Sequence, residues 1–145
     1  MQNNMDKPII GYTAGVYDMF HIGHLNVLKN AKSHCDQLIV AVSTDEVVEK
    51  NKHKKTVIPY EERAAIVSAI RYVDKVIPQT AYDIEGKVQA AKDNHISVMF
   101  VGSDWQGTEK WNLIEARLNE IGVRVMYLPH TDGISSTILR EKRTL

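Results

Sequence analysis

The sequence has little of several features that would point to particular classes of protein. Its single cysteine, Cys35, excludes an intramolecular disulfide framework and a cysteine-based zinc site. Lys plus Arg equals Asp plus Glu at 18 each, so no overall field draws the chain to nucleic acid or to an anionic membrane. Apolar runs of the roughly 18 residues that a membrane span needs are missing, and so is the apolar core of a signal peptide. We therefore expect a cytoplasmic protein that has no nucleic-acid or membrane partner and binds anions through a local cluster.

The sequence does have the composition of an ordinary folded domain. Apolar residues make up 43% of its 145 residues and charged residues 25%, far from the signature of disorder. This length suffices for one core of ordinary size. We therefore expect a single domain over residues 1–145 with a single site.

Short β-branched runs alternate with helical spacing along the chain. Helices are predicted around Leu28, after Pro59 and around Leu118. Five strands are predicted, at Ile9–Thr13, Gln37–Val42, Val73–Ile77, Val98–Val101 and Val123–Leu128. This alternation predicts an α/β fold, a single Rossmann-like domain with a five-stranded parallel sheet and helices on both faces. Ligands of such sheets bind at the carboxyl ends of the strands.

The segment after the first predicted strand carries two histidines, His21 and His24, with Gly23 between them at the start of a helix. Imidazole N–H groups, peptide N–H groups and the helix dipole all favour negative charge at such a point, which suits polyphosphate. Two alternatives stay open. The histidines could be surface residues of a capped helix, or a metal pair with Asp18 as the nearest third ligand.

The next segments combine hydroxyls, carboxylates and basic residues. The Asp45 carboxylate could bind a ribose hydroxyl or cap the start of a helix. Lys52 and Lys54, in a basic loop after the second strand, could close over phosphates or be merely solvated. Arg63 and Arg71 could each grip a phosphate through two N–H bonds or form surface ion pairs.

Two later segments complete the candidate site. After the fourth strand, Asp104 and Trp105 could meet a nucleobase, although Trp105 could also be a core residue. After the fifth strand, Gly133 and the hydroxyls around it open a second helix start that suits an anion or, more simply, a helix cap. Two anion-binding helix starts on one sheet edge suggest a bound nucleoside triphosphate.

Taken together, these segments resemble the cytidylyltransferase family, most closely its members that act on glycerol 3-phosphate. The resemblance runs from about residue 9 to about residue 141. Its motifs are His21–His24, Ser43–Glu46, Tyr60–Arg63, Arg71–Asp74, Gly102–Trp105 and Thr131–Ser135. It implies a homodimer that transfers CMP from CTP to a small phosphate monoester with magnesium, releasing pyrophosphate. In bacteria, activated glycerol of this kind commonly feeds teichoic acid or capsule synthesis.

The resemblance also implies roles for individual residues. His21 and His24 would stabilise charge on the CTP phosphates, Lys52 and Lys54 would clamp the α-phosphate and pyrophosphate, and Asp18 would lie near the reacting centre. The remaining CTP contacts would be Val16, Tyr17, Arg71, Asp104, Trp105, Thr131, Gly133, Ile134 and Ser135. The acceptor contacts would be Arg63, Tyr82 and Asp18.

The sequence departs from the family pattern at four positions. Val16 and Ser103 stand where the family has Thr and Asp, while Tyr82 and His130 replace a Trp and an Arg. The last two leave the acceptor's identity open. The alternatives are an acceptor such as phosphoethanolamine or phosphocholine, an adenylyltransferase that uses ATP, and a CTP-binding regulator without turnover.

Overall fold

Five parallel strands form one sheet in the order β3-β2-β1-β4-β5. The structure, a computed structural model, describes residues 7–129. The strands are β1 (Ile10–Gly15), β2 (Gln37–Ser43), β3 (Lys75–Gln79), β4 (Val98–Gly102) and β5 (Arg124–Leu128). All five predicted strands are confirmed, each with its ends within two residues of the expected positions.

Five helices connect the strands. They are α1 (Ile22–Lys32), α2 (Asp45–Lys52), α3 (Tyr60–Ser68), α4 (Ile84–Asp93) and α5 (Glu109–Glu120). The prediction of a basic loop after the second strand is partly wrong, because helix α2 extends into that segment and ends at Lys52. Helix α4 has no counterpart among the predicted helices.

The helices cover both faces of the sheet, as predicted. Alternate residues of a strand point to opposite faces, and in β2 Ile39 belongs to one apolar cluster whereas Val40 belongs to the other. The first cluster includes Val88 of α4 and Ile114 of α5. The second includes Leu28 of α1 together with the α3 residue Val67. Strands buried on both faces explain why β2 reads as a continuous apolar run.

The amino edge of the sheet is held by structural contacts. One Asp74 carboxylate oxygen accepts hydrogen bonds from the Leu38 N–H at 2.8 Å and from the Lys32 ammonium at 2.6 Å. The Asp36 carboxylate likewise accepts from the Ile9 N–H at 2.6 Å.

Each helix that the structure describes is too short or too polar to cross a lipid bilayer.

The carboxyl edge contains the point where the strand order reverses. From β1 the chain builds β2 and β3 on one side, then returns through α4 to place β4 and β5 on the other. In open parallel sheets this reversal creates a crevice beside the carboxyl ends of the two central strands. Here those ends are Gly15 of β1 and Gly102 of β4.

Candidate active site

Two adjoining cavities open at the carboxyl edge of the sheet. The first has a volume of about 400 Å³ and lies among the loop after β1, the end of α2 and the turn after β4. The second has a volume of about 200 Å³ and extends towards α4 and α5. Val16, Lys52 and Trp105 line both cavities, so a ligand in one would be next to a ligand in the other.

The loop after β1 is shaped by an unusual backbone. Tyr17 and Met19 have φ angles of 55° and 50°, in the left-handed region that bulky side chains rarely adopt. The Tyr17 ring folds back over Gly15, where a β-carbon would lie only 2.9 Å from it. A glycine at this position thus lets the loop turn back and deliver His21 to the start of α1.

His21 and His24 form a reciprocal cap at the start of α1. The Nδ1 atom of His21 accepts from the Gly23 N–H at 3.0 Å, and that of His24 accepts from the His21 N–H at 3.1 Å. The two rings stack with centroids 3.9 Å apart. Because both Nδ1 atoms accept hydrogen bonds, the proton of each neutral imidazole lies on Nε2. The pair therefore leaves two Nε2–H groups available as donors. The same arrangement that caps the helix could thus also bind a ligand.

Both histidines are neutral at physiological pH. The pKa of His24 is lowered to about 4, mainly by burial. The neighbouring His21 also lowers this pKa, by more than Asp18 raises it. Burial also lowers the pKa of His21. The imidazoles are therefore available as neutral hydrogen-bond donors rather than as resident cations.

Asp18 holds the segment that follows α2. Its carboxylate is only 6% exposed and accepts hydrogen bonds from the Val57 and Ile58 N–H groups at 2.8 and 2.9 Å. Asp18 also lines the first cavity, as does Lys54 in the segment it anchors. Asp18 thus fixes the backbone just after Lys54, and Asp18, Lys54 and His24 all line the same cavity.

Arg63, predicted to contact the acceptor, is instead enclosed by the protein. Its guanidinium donates to the Ile58, Val16 and Ser43 carbonyls at 2.7–2.8 Å and to the Asp45 carboxylate at 2.6 Å. The side chain is fully buried. Asp45 correspondingly caps α3 at the Tyr60 N–H. Arg63 therefore ties the loop after β1 to the end of β2 rather than reaching either cavity.

Arg71, predicted to contact CTP, lies at the other edge of the sheet. It precedes β3, and residues that precede a parallel strand are at the amino edge, away from both cavities. Its guanidinium is exposed and donates to the Tyr72 hydroxyl at 3.2 Å. Thr131, Gly133, Ile134, Ser135 and the variant position His130 lie outside the described residues.

Trp105 is a surface residue and not a core residue. It lies in a single 3-10 turn, Ser103–Trp105, that directly follows β4. The indole is 46% exposed although it borders both cavities, and Asp104 beside it lines the first. The tryptophan that belongs to the core is Trp111. The turn therefore presents a flat ring and a carboxylate at the border of the first cavity.

The second cavity is lined by three lysines, of which the sequence analysis identified only Lys52. Lys87 of α4 is 8% exposed, and its ammonium lies 5.3 Å from the centre of the Trp111 ring. Burial, reinforced by the charge of Lys110, lowers the pKa of Lys87 to about 8. Tyr82 forms another part of the wall, with its ring centre 5.9 Å from the Lys52 ammonium.

A buried lysine could have been found from the sequence. Ile84, Val88 and Ala91 are spaced for one face of a helix, and Lys87 falls on that same face. Lysine is rarely buried without a partner, so its place among apolar residues marks a candidate anion site.

Lys52 and Lys54 provide the mobile positive charge of the first cavity. Partial burial and the charge of Lys54 lower the pKa of Lys52. Since Lys52 ends α2 and lines both cavities, its ammonium can contact a phosphate in either.

The comparisons with known proteins agree with this geometry. A family model described as cytidylyltransferase-like matches residues 12–142. Glycerol-3-phosphate cytidylyltransferase of Bacillus subtilis is 40% identical over 136 residues, which cover 94% of this chain and 96% of that protein. The FAD synthase of Thermococcus kodakarensis is 35% identical over 86% of this chain and 82% of its own length.

A solved structure has the same fold. It is the lipopolysaccharide core biosynthesis protein of Thermoplasma volcanium, with a TM-score of 0.67 and 26% identity, covering 86% of this chain and 97% of that one. The family match includes the lining residues of both cavities, most of β1 and all of the other four strands. The chain therefore belongs to the cytidylyltransferase-like family.

Proposed function

We propose that this protein transfers CMP from CTP to glycerol 3-phosphate, giving CDP-glycerol and pyrophosphate. The observation that carries the proposal is the pair of adjoining cavities, one bordered by the neutral imidazole of His24 and the other by lysines, with Lys52 lining both. The similarity to the Bacillus subtilis glycerol-3-phosphate cytidylyltransferase over nearly the whole of both chains supports the choice of substrates.

The first cavity suits a nucleoside triphosphate. His24 and Lys54 border it on the side of α1 and α2, where the helix start adds its own N–H groups. Trp105 and Asp104 border it after β4, where a base could stack and a ribose hydroxyl could donate. The triphosphate would extend from the turn after β4 towards the histidines.

The charge of the second cavity favours a polyol phosphate over phosphocholine or phosphoethanolamine. Lys52, Lys87 and Lys110 line it, and none of its described lining residues carries a carboxylate. Aromatic rings such as that of Trp111 attract quaternary ammonium groups, but three lysines would repel them. Glycerol 3-phosphate brings an anionic phosphate and neutral hydroxyls, so it meets no like charge.

The reaction needs positioning and charge stabilisation more than acid–base chemistry. An oxygen of the acceptor phosphate, already anionic near pH 7, attacks the α-phosphorus of CTP and forms the new P–O bond. The bond from the α-phosphorus to the bridging oxygen breaks, and pyrophosphate leaves with the electron pair. Lys52, which lines both cavities, would contact both phosphates, while His21, His24 and Lys54 would stabilise negative charge on the nucleotide.

We also propose that magnesium accompanies the nucleotide. Within residues 7–129 no three His, Cys, Asp or Glu side chains converge as a metal cluster. Magnesium is often held by substrate phosphates with only one or two carboxylates, and Asp18 and Asp104 line the first cavity. When bound it would neutralise phosphate charge. Chelation should abolish pyrophosphate release, and added magnesium should restore it.

Homodimer formation stays a prediction, for which analytical ultracentrifugation is the direct measurement. For a dimer, the molecular mass obtained from sedimentation should be twice the 16.4 kDa of the single chain.

The function is tested by pyrophosphate release from CTP with a panel of phosphate monoesters. We expect release that requires both CTP and glycerol 3-phosphate and that is weak with phosphocholine or phosphoethanolamine. The FAD synthase relative makes ATP the necessary control nucleotide. Equal turnover with ATP would contradict the proposal, and a CTP-induced rise in melting temperature without turnover would favour a regulator.

A further inference from the structure

We propose that a hydrogen-bonded chain from Tyr82 through Ser43 to Gln79 positions the wall of the acceptor cavity and thereby sets the affinity for the acceptor. The Tyr82 hydroxyl donates to Ser43 Oγ at 2.9 Å, and Ser43 Oγ donates to Gln79 Oε1 at 3.0 Å. All three residues line the second cavity. The inference rests on the proposed function, because it assigns the second cavity to the acceptor.

The inner end of the chain is rigid. Ser43 and Gln79 are the paired last residues of the neighbouring strands β2 and β3, and they are only 1% and 6% exposed. Their backbones are fixed as well, since the Ser43 carbonyl accepts from Arg63 and the Gln79 carbonyl accepts from the Thr44 N–H at 3.1 Å. A buried hydrogen bond of this kind resists exchange with water.

The outer end of the chain is Tyr82, in the segment between β3 and α4. This segment is not part of a helix or strand, so the hydroxyl bond ties its side chain to the end of the sheet. The anchored ring lies beside the Lys52 ammonium, at 5.9 Å from ring centre to Nζ. A cation near an aromatic face is attracted by it, so holding the ring also restricts where the ammonium lies.

The chain depends on the phenol hydroxyl. Tyr82, Ser43 and Gln79 are positioning residues in this proposal, since they act by fixing the ring and Lys52 rather than by touching the reacting atoms.

The kinetic test compares Tyr82→Phe, Ser43→Ala and the double variant with wild type. Loss of one hydrogen bond worth about 1 kcal/mol should raise the KM for glycerol 3-phosphate about fivefold. The KM for CTP should rise less than this, because Tyr82 lines only the second cavity and because His24 and Lys54 also border the first. The double variant should resemble Ser43→Ala alone, because both substitutions remove the same bond. Tyr72→Phe is the matched control, since its hydroxyl bonds Arg71 at the opposite edge.

A second readout does not depend on turnover. In protein with isotope-labelled lysine, the Tyr82 ring should shift the NMR signal of the Lys52 side chain, and Tyr82→Phe should reduce that shift while keeping the ring. An unchanged Lys52 signal, an unchanged acceptor KM, or equal increases in the KM for acceptor and CTP would each overturn the inference. If wild type releases no pyrophosphate with glycerol 3-phosphate, the proposed function fails, and the NMR comparison alone then decides the inference.

Discussion

Replacement of Arg63 by lysine should destabilise the protein far more than an ordinary conservative substitution. The guanidinium makes four hydrogen bonds to groups from three segments of the chain, and its side chain is completely buried. A lysine ammonium cannot reproduce this planar fork. Hydrogen bonds to a charged group are worth about 1.5–3 kcal/mol each, and leaving buried partners unpaired costs about 3–5 kcal/mol. We expect Arg63→Lys to lower the free energy of unfolding by about 3–5 kcal/mol.

Urea unfolding followed by tryptophan fluorescence measures this loss. At about 2–4 °C per kcal/mol for a domain of this size, the melting temperature should also fall by about 6–20 °C. Arg117→Lys is the matched control: its side chain is 41% exposed and pairs with Glu85, so the change should cost less than about 1 kcal/mol. If Arg63→Lys were no more destabilising than Arg117→Lys, the role assigned to the buried guanidinium would be refuted.

Three other substitutions probe the site. His24→Ala should lower kcat by about 10²–10³ and should also lower the melting temperature by a few degrees, because the His21 N–H loses its cap. His34→Ala should leave kcat unchanged, and activity of His24→Ala within twofold of wild type would exclude His24 from the site. Gly15→Ala should destabilise the protein by about 1–3 kcal/mol in a melting experiment, because the new β-carbon would lie 2.9 Å from the Tyr17 ring. Burial lowers the pKa of Lys87 from 10.5 to about 8, so above pH 8 the folded state binds fewer protons than the unfolded chain. Wild type should therefore gain stability relative to Lys87→Met as the pH rises from 8 towards 10.5 in urea unfolding, and a gap that does not change with pH would show that Lys87 is not desolvated.

The central strand β2 could be predicted because burial on both sheet faces makes it almost continuously apolar. Helices α2 and α4 were missed, for two different reasons. The buried residues of α2, Val47 and Val48, are adjacent and give no helical period. In α4 the apolar residues do have helical spacing, but Lys87 lies on the same face and Gly86 has a low helix propensity, so the pattern is weak. In each case tertiary packing selects a helix that local pattern only weakly favours.

The site was predictable where a short segment forms it. His21 and His24 cap the same turn, and a turn of the chain directly after β4 presents Trp105. Arg63 shows the limit of this reasoning, because its partners include the Val16 and Ser43 carbonyls, which only the folded sheet brings to it. The basic residue type was informative, but whether it faced a phosphate or the backbone depended on long-range packing.

The strand order has a consequence for how the chain folds as it is made. The central strand β1 pairs with β2 on one edge, for example at Ile10↔Gln37, and with β4 on the other, for example at Gly11↔Val98. The edge that pairs with β4 stays unpaired until that strand is synthesised. Translation at about 5–20 residues per second leaves that edge open for about 1–4 s after β3 emerges. Open strand edges invite pairing with other chains. A chain arrested in this interval would already carry His21 and Lys52 but would lack the strand and turn that complete both cavities, so aggregation during expression should arise from this half-sheet.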